Sequence, residues 1–332
     1  MDYDMYPQID PTVAYEGPSA DFASFTGSPL WGYGIDGILD RAAEQGWTVA
    51  SRARLNTPYG LSPLVVHLVA PNGRDVVWIP SYGEVVGEDS LYHLNFEKCF
   101  WVIWQAGVKV MMVGGTSGIA DWRQGDAAII PGDVVLPWSF YTRFNHRGLP
   151  GTQYESMWSK CRFLLGDPFC PELQGLMASK LTPYVESGRI RSVRTPADTR
   201  VAMIVPDSIT FESDFDILHW MAISKTASEI QPERPPIVTL HGDCLNPLLS
   251  RYLGIHVLYY HMVSNYAHGL EPEHDIHSTI NHLYTQVFPE IALAMELDLL
   301  ATMPVPDGGG CQCTTSLGVA PPSFSQSLTQ PV

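Results

Sequence analysis

The chain has 332 residues and a formal net charge of −16, with 35 acidic and 19 basic side chains. Hydrophobic residues make up 45% of it and charged residues 16%, against the roughly 25% typical of soluble domains. This excludes a disordered chain, which needs low hydrophobicity and many charges. It also excludes nucleic acid as a primary partner, since too few basic groups exist to replace counterions along a phosphate backbone.

Membrane and export signals are missing from the pattern. The first ten residues are acidic and contain Pro7, unlike a signal peptide, and no apolar run approaches roughly 20 residues. The six cysteines are too few for a disulfide scaffold of this length. We therefore expect a cytoplasmic protein without membrane contact. Cys311 and Cys313 form a CxC in a Gly-rich tail, and without a second pair we predict an unstructured tail, no metal site and no cofactor.

Strand-like and helix-like segments alternate along the middle of the chain, which predicts one α/β domain over residues 29–303. Residues 1–28 and 304–332 are predicted to be a poorly ordered extension and a flexible tail, because both are rich in Pro, Ser and Gly. The predicted strands are 47–54, 64–70, 75–80, 108–114, 134–137, 201–206, 237–240 and 255–263. The predicted helices are 90–106, 170–186, 212–224, 244–253 and 274–301, and Pro289 is expected to bend or divide the last.

Four polar or Gly-rich segments follow or flank these strands: 27–37, 113–121, 240–247 and 264–277. In α/β folds such loops at strand ends collect ligands. For the segment 27–37 a plain strand-to-helix turn is the alternative. The segment 113–121 is a stronger but still unspecific signal, and it is expected to present several N–H groups to an anion or a ligand hydroxyl. Metal ligation in the His-rich fourth segment lacks any HExxH-type signature.

The order of several motifs resembles the nucleoside phosphorylase superfamily, on the side of the trimeric purine nucleoside and methylthioadenosine phosphorylases. NTPYG (56–60) is similar to the family's TPFG or TPYG turn, and IIPGDVVLPWSF (129–140) to its PGDIVI segment. WGYGID stands where that family has GG[ST]G[LI], and GVKVMMVGGTSGI resembles its strand ending in an AAG-type sequence. PDSITFES (206–213) looks like a degraded EGPSFET. The stretch starting LHGDCLNP resembles the GMSTVPEV segment. The resemblance spans residues 28–302.

The resemblance implies a single domain with a central mixed, partly barrel-like β-sheet surrounded by helices. It also implies a homotrimer that binds a small-molecule ligand. By position, Asp207 replaces the family's purine-binding Glu, Asn265 its base-contacting Asn or Asp, and His277 lies near the sugar 5′ side. The candidate catalytic residues are Asp207, Asp243, His241 and Asn265. The candidate substrate-binding residues are Tyr33, Tyr82, Gly115, Thr116, Phe211, Glu212, Ser264 and His277.

The departures from the family concern phosphate. Tyr33 stands for the Ser or Thr of the first phosphate loop, residues 81–83 replace its RHG motif, and Gly242 replaces the hydroxyl residue of MST. Glu84 and Glu88 lie close in sequence, and carboxylates repel phosphate. Phosphorolysis needs cationic and hydroxyl donors around the oxyanion, so ordinary phosphorolysis is not expected.

Three hypotheses remain from the sequence. In the first, the enzyme cleaves the N-glycosidic bond of a purine nucleoside-like compound with water in place of phosphate. Asp207 or Asn265 would hold the leaving base and Asp243 or His241 would position the nucleophile. In the second, the fold serves other acid/base chemistry in specialised metabolism, such as proton transfer, elimination or cyclisation. In the third, the trimer is an inactive binding or scaffold protein. Trp31 and Phe211 are expected in the core.

Overall fold

The computed structural model describes residues 12–80, 96–142, 168–205, 213–230, 232, 237–240, 250, 253–267, 270 and 281–314. Predictions that fall elsewhere, among them most of the helix over 244–253, lie outside the described residues. Within them, no helix combines the length and the apolar composition needed to cross a bilayer.

One mixed sheet organises the described residues, as the sequence predicted for an α/β fold. Its main path is β2-β3-β4-β1-β5-β10-β9-β7, and β11 joins β5 to β6, which in turn pairs with β8. The strands are β1 Phe22–Ser24, β2 Thr48–Thr57, β3 Gly60–Val69, β4 Asp75–Trp78, β5 Val110–Ala120, β6 Val134–Val135, β7 Ser139–Thr142, β8 Val193–Arg194, β9 Val201–Val205, β10 Ile237–Leu240 and β11 His256–Tyr266. Strand β5 has three partners, with β1 and β10 on one edge and β11 on the other, so the sheet branches there.

Helices cover both faces of this sheet. They are α1 Gly34–Glu44, α2 Phe96–Gln105, α3 Pro171–Glu186, α4 Asp214–Ile230 and α5 Phe288–Thr302. Helices α1, α3 and α5 contribute to one core cluster, whereas α2 packs into a second cluster. The prediction for Pro289 is confirmed: it lies in the first turn of α5, directly after a π-helical turn, Leu283–Val287.

Two segments predicted as loops are regular structure. Residues 27–37 form a 3₁₀ helix, Ser28–Tyr33, and the first turn of α1. Residues 113–120 continue β5, which is paired with β11 to its end. The reason lies in the glycines: a Cβ at Gly114 would stand 2.4 Å from the Tyr260 hydroxyl, and one at Gly115 would stand 2.8 Å from the His261 ring. Glycine stands at both positions because the Tyr260 and His261 side chains of β11 lie against them, and not because the chain turns there.

The predicted boundaries of the two ends also need correction. Strand β1 pairs in parallel with β4 and β5 at the centre of the sheet, so the ordered domain begins before residue 22. Its three residues are too few to show a period, which is why the sequence did not reveal it. At the other end, Cys311 and Cys313 are buried against the core that contains α5, not in an unstructured tail.

The C-terminus of α5 is capped by the turn between β3 and β4. The Arg74 guanidinium donates to the carbonyls of Leu300 and Met303, both at 2.8 Å, and the Asn72 amide donates to Ala301 O at 2.8 Å. A cation at a helix C-terminus satisfies carbonyls that have no partner within the helix and opposes the negative end of its dipole. The chain that leaves α5 is thereby held against the sheet.

Candidate functional site

Three strands, β1, β5 and β11, lie side by side and run in the same direction. Ser24 at the end of β1 is level with Met112, whereas Tyr266 at the end of β11 is level with Ile119, and the chain that leaves β1 stays beside β5 because the Gly27 N–H donates to Gly114 O at 3.1 Å. In open α/β sheets ligands bind beyond the carboxyl ends of the strands. The residues just beyond β1 and along the last half of β5 and β11 therefore form the candidate site.

A cluster of three hydroxyl side chains, Ser28, Thr116 and Tyr284, lies just beyond the end of β1, beside the second half of β5. The Thr116 backbone N–H donates to Ser28 Oγ at 3.0 Å, and the two side-chain hydroxyls are 2.9 Å apart. The Tyr284 hydroxyl is hydrogen-bonded to Thr116 Oγ1. Ser28 starts the 3₁₀ helix after β1, Thr116 belongs to β5, and Tyr284 comes from the π turn before α5. Three separate elements thus place neutral hydroxyls together.

An exposed aromatic ring borders this hydroxyl cluster. Trp31 is 58% exposed and its ring meets that of Tyr284 edge to face, with centroids 6.1 Å apart. The expectation that Trp31 belongs to the core is therefore wrong. The 3₁₀ helix turns Pro29 and Leu30 inward and leaves Trp31 on the outer side. An exposed indole beside hydroxyl groups offers a flat apolar face to a ring-shaped ligand.

Strand β11 brings two predicted residues next to β5. Asn265 is paired with Gly118 in the register of the two strands, after a bulge that follows Val263. The Ser264 hydroxyl donates to Asn265 Oδ1 at 2.6 Å, and Asn265 Nδ2 donates to Tyr266 O at 2.7 Å. The amide orientation is fixed by its own neighbours. Asn265 keeps one N–H and one oxygen lone pair for a ligand.

A buried carboxyl group supports the loop after β1. Glu296 on α5 is 3% exposed and accepts hydrogen bonds from the Ser24 hydroxyl at 3.1 Å and from the Tyr260 hydroxyl. Thr26 joins the network, because its hydroxyl oxygen accepts the Gly114 N–H at 3.0 Å. The carboxyl therefore holds β1, β5, β11 and α5 together directly beneath the hydroxyl cluster's loop.

Burial dominates the acidity of this network. Desolvation raises the pKa of Glu296 to about 7, and hydrogen bonds with Thr26, Tyr260 and Ser24 only partly oppose it. Desolvation, and then the nearby Glu296, raise the pKa of Tyr260 well above its usual value. Near neutral pH the Glu296 carboxyl consequently exchanges a proton while Tyr260 stays neutral.

Tyr33 lies apart from the hydroxyl cluster's bonds. Its ring stacks under the Arg41 guanidinium, 3.9 Å from the ring centroid, and packs against the core with α1. The hydroxyl that meets Thr116 at the end of β1 belongs to Ser28, five residues earlier in the chain. Gly115 lies against the His261 ring. The remaining candidates lie outside the described residues: Asp207, Asp243, His241, Tyr82, Phe211, Glu212 and His277.

Sequence reasoning missed Ser28, Tyr284 and Glu296. For Glu296 a signal existed, because its neighbours in the sequence from Ile291 to Leu297 are otherwise all apolar. Glu290 and Asp298 in the same helix are exposed, so Glu296 is the acid on the buried face, and a buried acid needs internal partners. Ser28 and Tyr284 carried no comparable signal, since hydroxyl residues at such positions are usual on any surface.

A separate cavity of about 600 Å³ lies beside the β2–β3 turn. Its lining contains Arg54 and Glu16 but none of Ser28, Thr116 and Tyr284. Since it shares no residue with the hydroxyl cluster, we do not assign the chemistry to it.

Comparison with known proteins gives the fold. No protein-family profile and no curated protein sequence matches the chain. Among solved structures, the S12T mutant of adenosine/methylthioadenosine phosphorylase from Schistosoma mansoni in complex with adenine has a TM-score of 0.62 at 12% identity. That match covers 93% of this chain and 97% of the other. The same mutant in complex with methylthioadenosine gives 0.60 at 12% identity, with the same coverage.

A methylthioadenosine phosphorylase sourced from an antarctic soil metagenomic library gives a TM-score of 0.62 at 14% identity. The match covers 94% of this chain and 95% of that chain. At such low identity the likeness shows the fold. The chain has the fold of the methylthioadenosine phosphorylases, and the resemblance drawn from the motifs is confirmed at that level.

The Glu296 carboxyl should make stability depend on pH. Its pKa in the folded chain is about 7, above the ordinary 4.5, so the folded state binds more protons between these values. Stability contributed by this group is then complete below about pH 4.5 and falls as pH rises through 7. In urea unfolding, the free energy of unfolding of Glu296→Gln minus that of the wild type should rise by about 2–4 kcal/mol between pH 5 and pH 8.

Glu290→Gln is the matched control, because Glu290 lies on the exposed side of the same helix and pairs with Arg189. It should change stability by less than about 1 kcal/mol at either pH. An identical pH slope for the wild type and Glu296→Gln would contradict the raised pKa.

Proposed function

We propose that this protein is a small-molecule enzyme that cleaves the N-glycosidic bond of a purine nucleoside-like compound with water, not phosphate, as the nucleophile. The observation that carries the proposal is the neutral hydroxyl cluster of Ser28, Thr116 and Tyr284, just beyond the end of β1 and beside the second half of β5. Ligands of open α/β folds bind beyond the carboxyl ends of strands, and Ser28 follows the end of β1, which supports this choice.

The class of ligand comes from the fold. Two solved structures of the Schistosoma mansoni phosphorylase mutant that share it are complexes with adenine and with methylthioadenosine. A purine ring is flat and largely apolar, with polar atoms at its edge. Trp31 supplies an exposed aromatic face beside the hydroxyl cluster, and Asn265 supplies an amide on the neighbouring strand. These two groups suit stacking and edge recognition of a base.

The choice of water follows from charge. A phosphate dianion needs cationic donors, and the described bonds of the hydroxyl cluster include no Arg, Lys or His. The segments 81–95 and 241–249 take the place of the family's other phosphate motifs, and neither contains an Arg or a Lys. The first of them contains three acidic residues, Glu84, Glu88 and Asp89. Hydroxyl groups alone can orient a water molecule, which carries no charge to neutralise.

The proposed chemistry divides between the two ends of the bond. Asp207 supplies a proton to the ring nitrogen of the leaving base, and Asn265 holds that base through hydrogen bonds of its amide. Asp243 or His241 accepts a proton from the attacking water, which adds to the sugar carbon as the bond to the base breaks. The products are a free base and a free sugar. Ser28 and Thr116 orient the ligand or water through their hydroxyls.

Base release without phosphate tests the proposal. The full chain is incubated with adenosine, methylthioadenosine, inosine and guanosine, with and without inorganic phosphate, and the products are separated by chromatography. We expect free base at the same rate in both conditions, together with free sugar, because water is the acceptor.

Two results would contradict it. Formation of a sugar 1-phosphate in strict dependence on phosphate would restore phosphorolysis. Release of no base from any of the four nucleosides would favour recruitment of the fold for other acid/base chemistry, or an inactive binding protein, and the hydrolase would be abandoned.

Thr116 allows a matched pair of variants. Thr116→Val keeps the size and the β-branch but removes the hydroxyl that meets Ser28 and Tyr284, whereas Thr116→Ser keeps the hydroxyl. Loss of one positioned hydrogen bond should lower kcat/KM for base release by about tenfold in Thr116→Val. Thr116→Ser should stay within about threefold of the wild type. Equal kcat/KM values for Thr116→Val and Thr116→Ser would show that the hydroxyl cluster takes no part in the reaction.

We also propose that the protein forms a homotrimer, as the resemblance implies. Helix α4 exposes large apolar side chains at helical spacing, with Phe215 77% and Leu218 60% exposed. Such side chains on one helix mark a surface that another chain covers. Light scattering should give the mass of three chains, and Phe215→Glu with Leu218→Glu should lower that mass.

Leu61→Glu is the control, since Leu61 is an exposed apolar residue on β3, away from α4 in the chain. It should leave the mass unchanged. A monomeric wild type would refute the trimer, and a trimer that survives both α4 substitutions would place its interface elsewhere.

A further inference from the structure

Four buried side chains meet near the start of β11, and none of them belongs to the hydroxyl cluster. They are Cys170, His256, Cys311 and Cys313, and each is at most 7% exposed. Their sulfur and nitrogen ligand atoms all lie within 4.8 Å of one another. Three different parts of the chain supply them: the residue before α3, the first residue of β11, and the segment after α5.

The spacing of these atoms fits a tetrahedral metal. Cys170 Sγ is 3.7 Å and Cys311 Sγ 3.4 Å from His256 Nδ1. Zinc bonds of about 2.3 Å to sulfur and 2.0–2.1 Å to nitrogen place tetrahedral ligand atoms about 3.5–3.8 Å apart. A central ion would therefore need only small side-chain adjustments.

Half of the cluster is built into the core. The Cys170 N–H donates to Val257 O at 2.8 Å, and the His256 N–H donates to Lys109 O at 2.8 Å. These bonds fix the two residues relative to each other and to β5. Cys170 is also the N-cap of α3, where the positive end of the helix dipole favours a thiolate.

The other half is brought in by a turn after α5. Gly308 adopts a positive φ of 83°, which glycine tolerates without strain. The Gly310 N–H then donates to Glu172 Oε1 at 3.1 Å, in the first turn of α3. This bond draws Cys311 and Cys313 toward Cys170. The CxC therefore has its second pair of ligands, although these are 55 or more residues away in sequence.

We propose that Cys170, His256, Cys311 and Cys313 bind one zinc ion. Three thiolates and one imidazole form the closed ligand set of a structural zinc site, with no position left for substrate. The ion fastens residues 303–313 to the start of β11 and to α3. This site is independent of the proposed reaction, so either can fail without the other.

Metal content of the untagged full chain is the first test. Protein expressed with zinc in the medium and dialysed against a weak chelator should retain about one zinc per chain by elemental analysis. Cys311→Ser with Cys313→Ser should lose it. Cys99→Ser is the control, because Cys99 is also buried but belongs to the other core cluster, and it should keep the metal.

Two wild-type measurements avoid dependence on the folding of the variants. Cobalt(II) added to the metal-free chain should give intense thiolate-to-cobalt charge-transfer bands and tetrahedral visible bands. Titration of the zinc form with an organomercurial should release one zinc as three thiols react.

The proposal is overturned if the reduced wild type neither contains zinc nor takes up zinc or cobalt(II). It is equally overturned if the double serine variant folds and retains as much zinc as the wild type, since that metal would be adventitious. An intact mass lower by two hydrogens, showing a disulfide among these cysteines in the protein as purified, would also overturn it.

Discussion

The close approach of β11 to β5 is the constraint on which the rest of the structure depends. Gly114 and Gly115 leave room for Tyr260 and His261, so β5 stays paired with β11 along its length. On its other edge β5 pairs with β1 and then with β10. A side chain at either glycine would push β11 away, because a Cβ there would lie under 3.0 Å from the facing ring. The candidate site lies where the chain that leaves β1 runs beside the second half of β5.

The Glu296 network gives the same region its specificity. A carboxyl group buried in an apolar helix is costly unless hydrogen bonds satisfy it. Ser24 and Tyr260 provide them, and they come from two different strands. Helix α5 can therefore dock in only one register along its axis, because any sliding leaves the acid without partners. An all-apolar helix face would pack in several registers with similar energy.

The features that the sequence predicted depend on neighbouring residues, whereas the features that it did not predict depend on residues far apart in the chain. The eight predicted strands and the helices 96–105, 171–186 and 214–230 lie in segments with strong local periodicity or long apolar runs, and local pattern was sufficient. Strand β1 and the extension of β5 depend on partners, since three residues and a Gly-rich run carry no local signal. The hydroxyl cluster joins residues 28, 116 and 284, and only the fold brings these together. That Ser28, and not Tyr33, contacts Thr116 follows from where β1 ends, and the sequence did not show that position.

Helix α5 and the segments at its two ends contact the hydroxyl cluster, strand β1, the turn between β3 and β4, and the cluster of cysteines around His256. Tyr284, in the π turn that precedes it, reaches the hydroxyl cluster, and Glu296 in its middle holds β1. Arg74 caps its end, and the chain beyond it carries Cys311 to His256. The π turn inserts an extra residue before Phe288 and so sets where Tyr284 points. Because a helix is stiff along its axis, anchoring its far end also limits how far Tyr284 can move. The same helix therefore fixes the positions of Tyr284, Glu296 and the start of the segment that reaches His256 relative to one another.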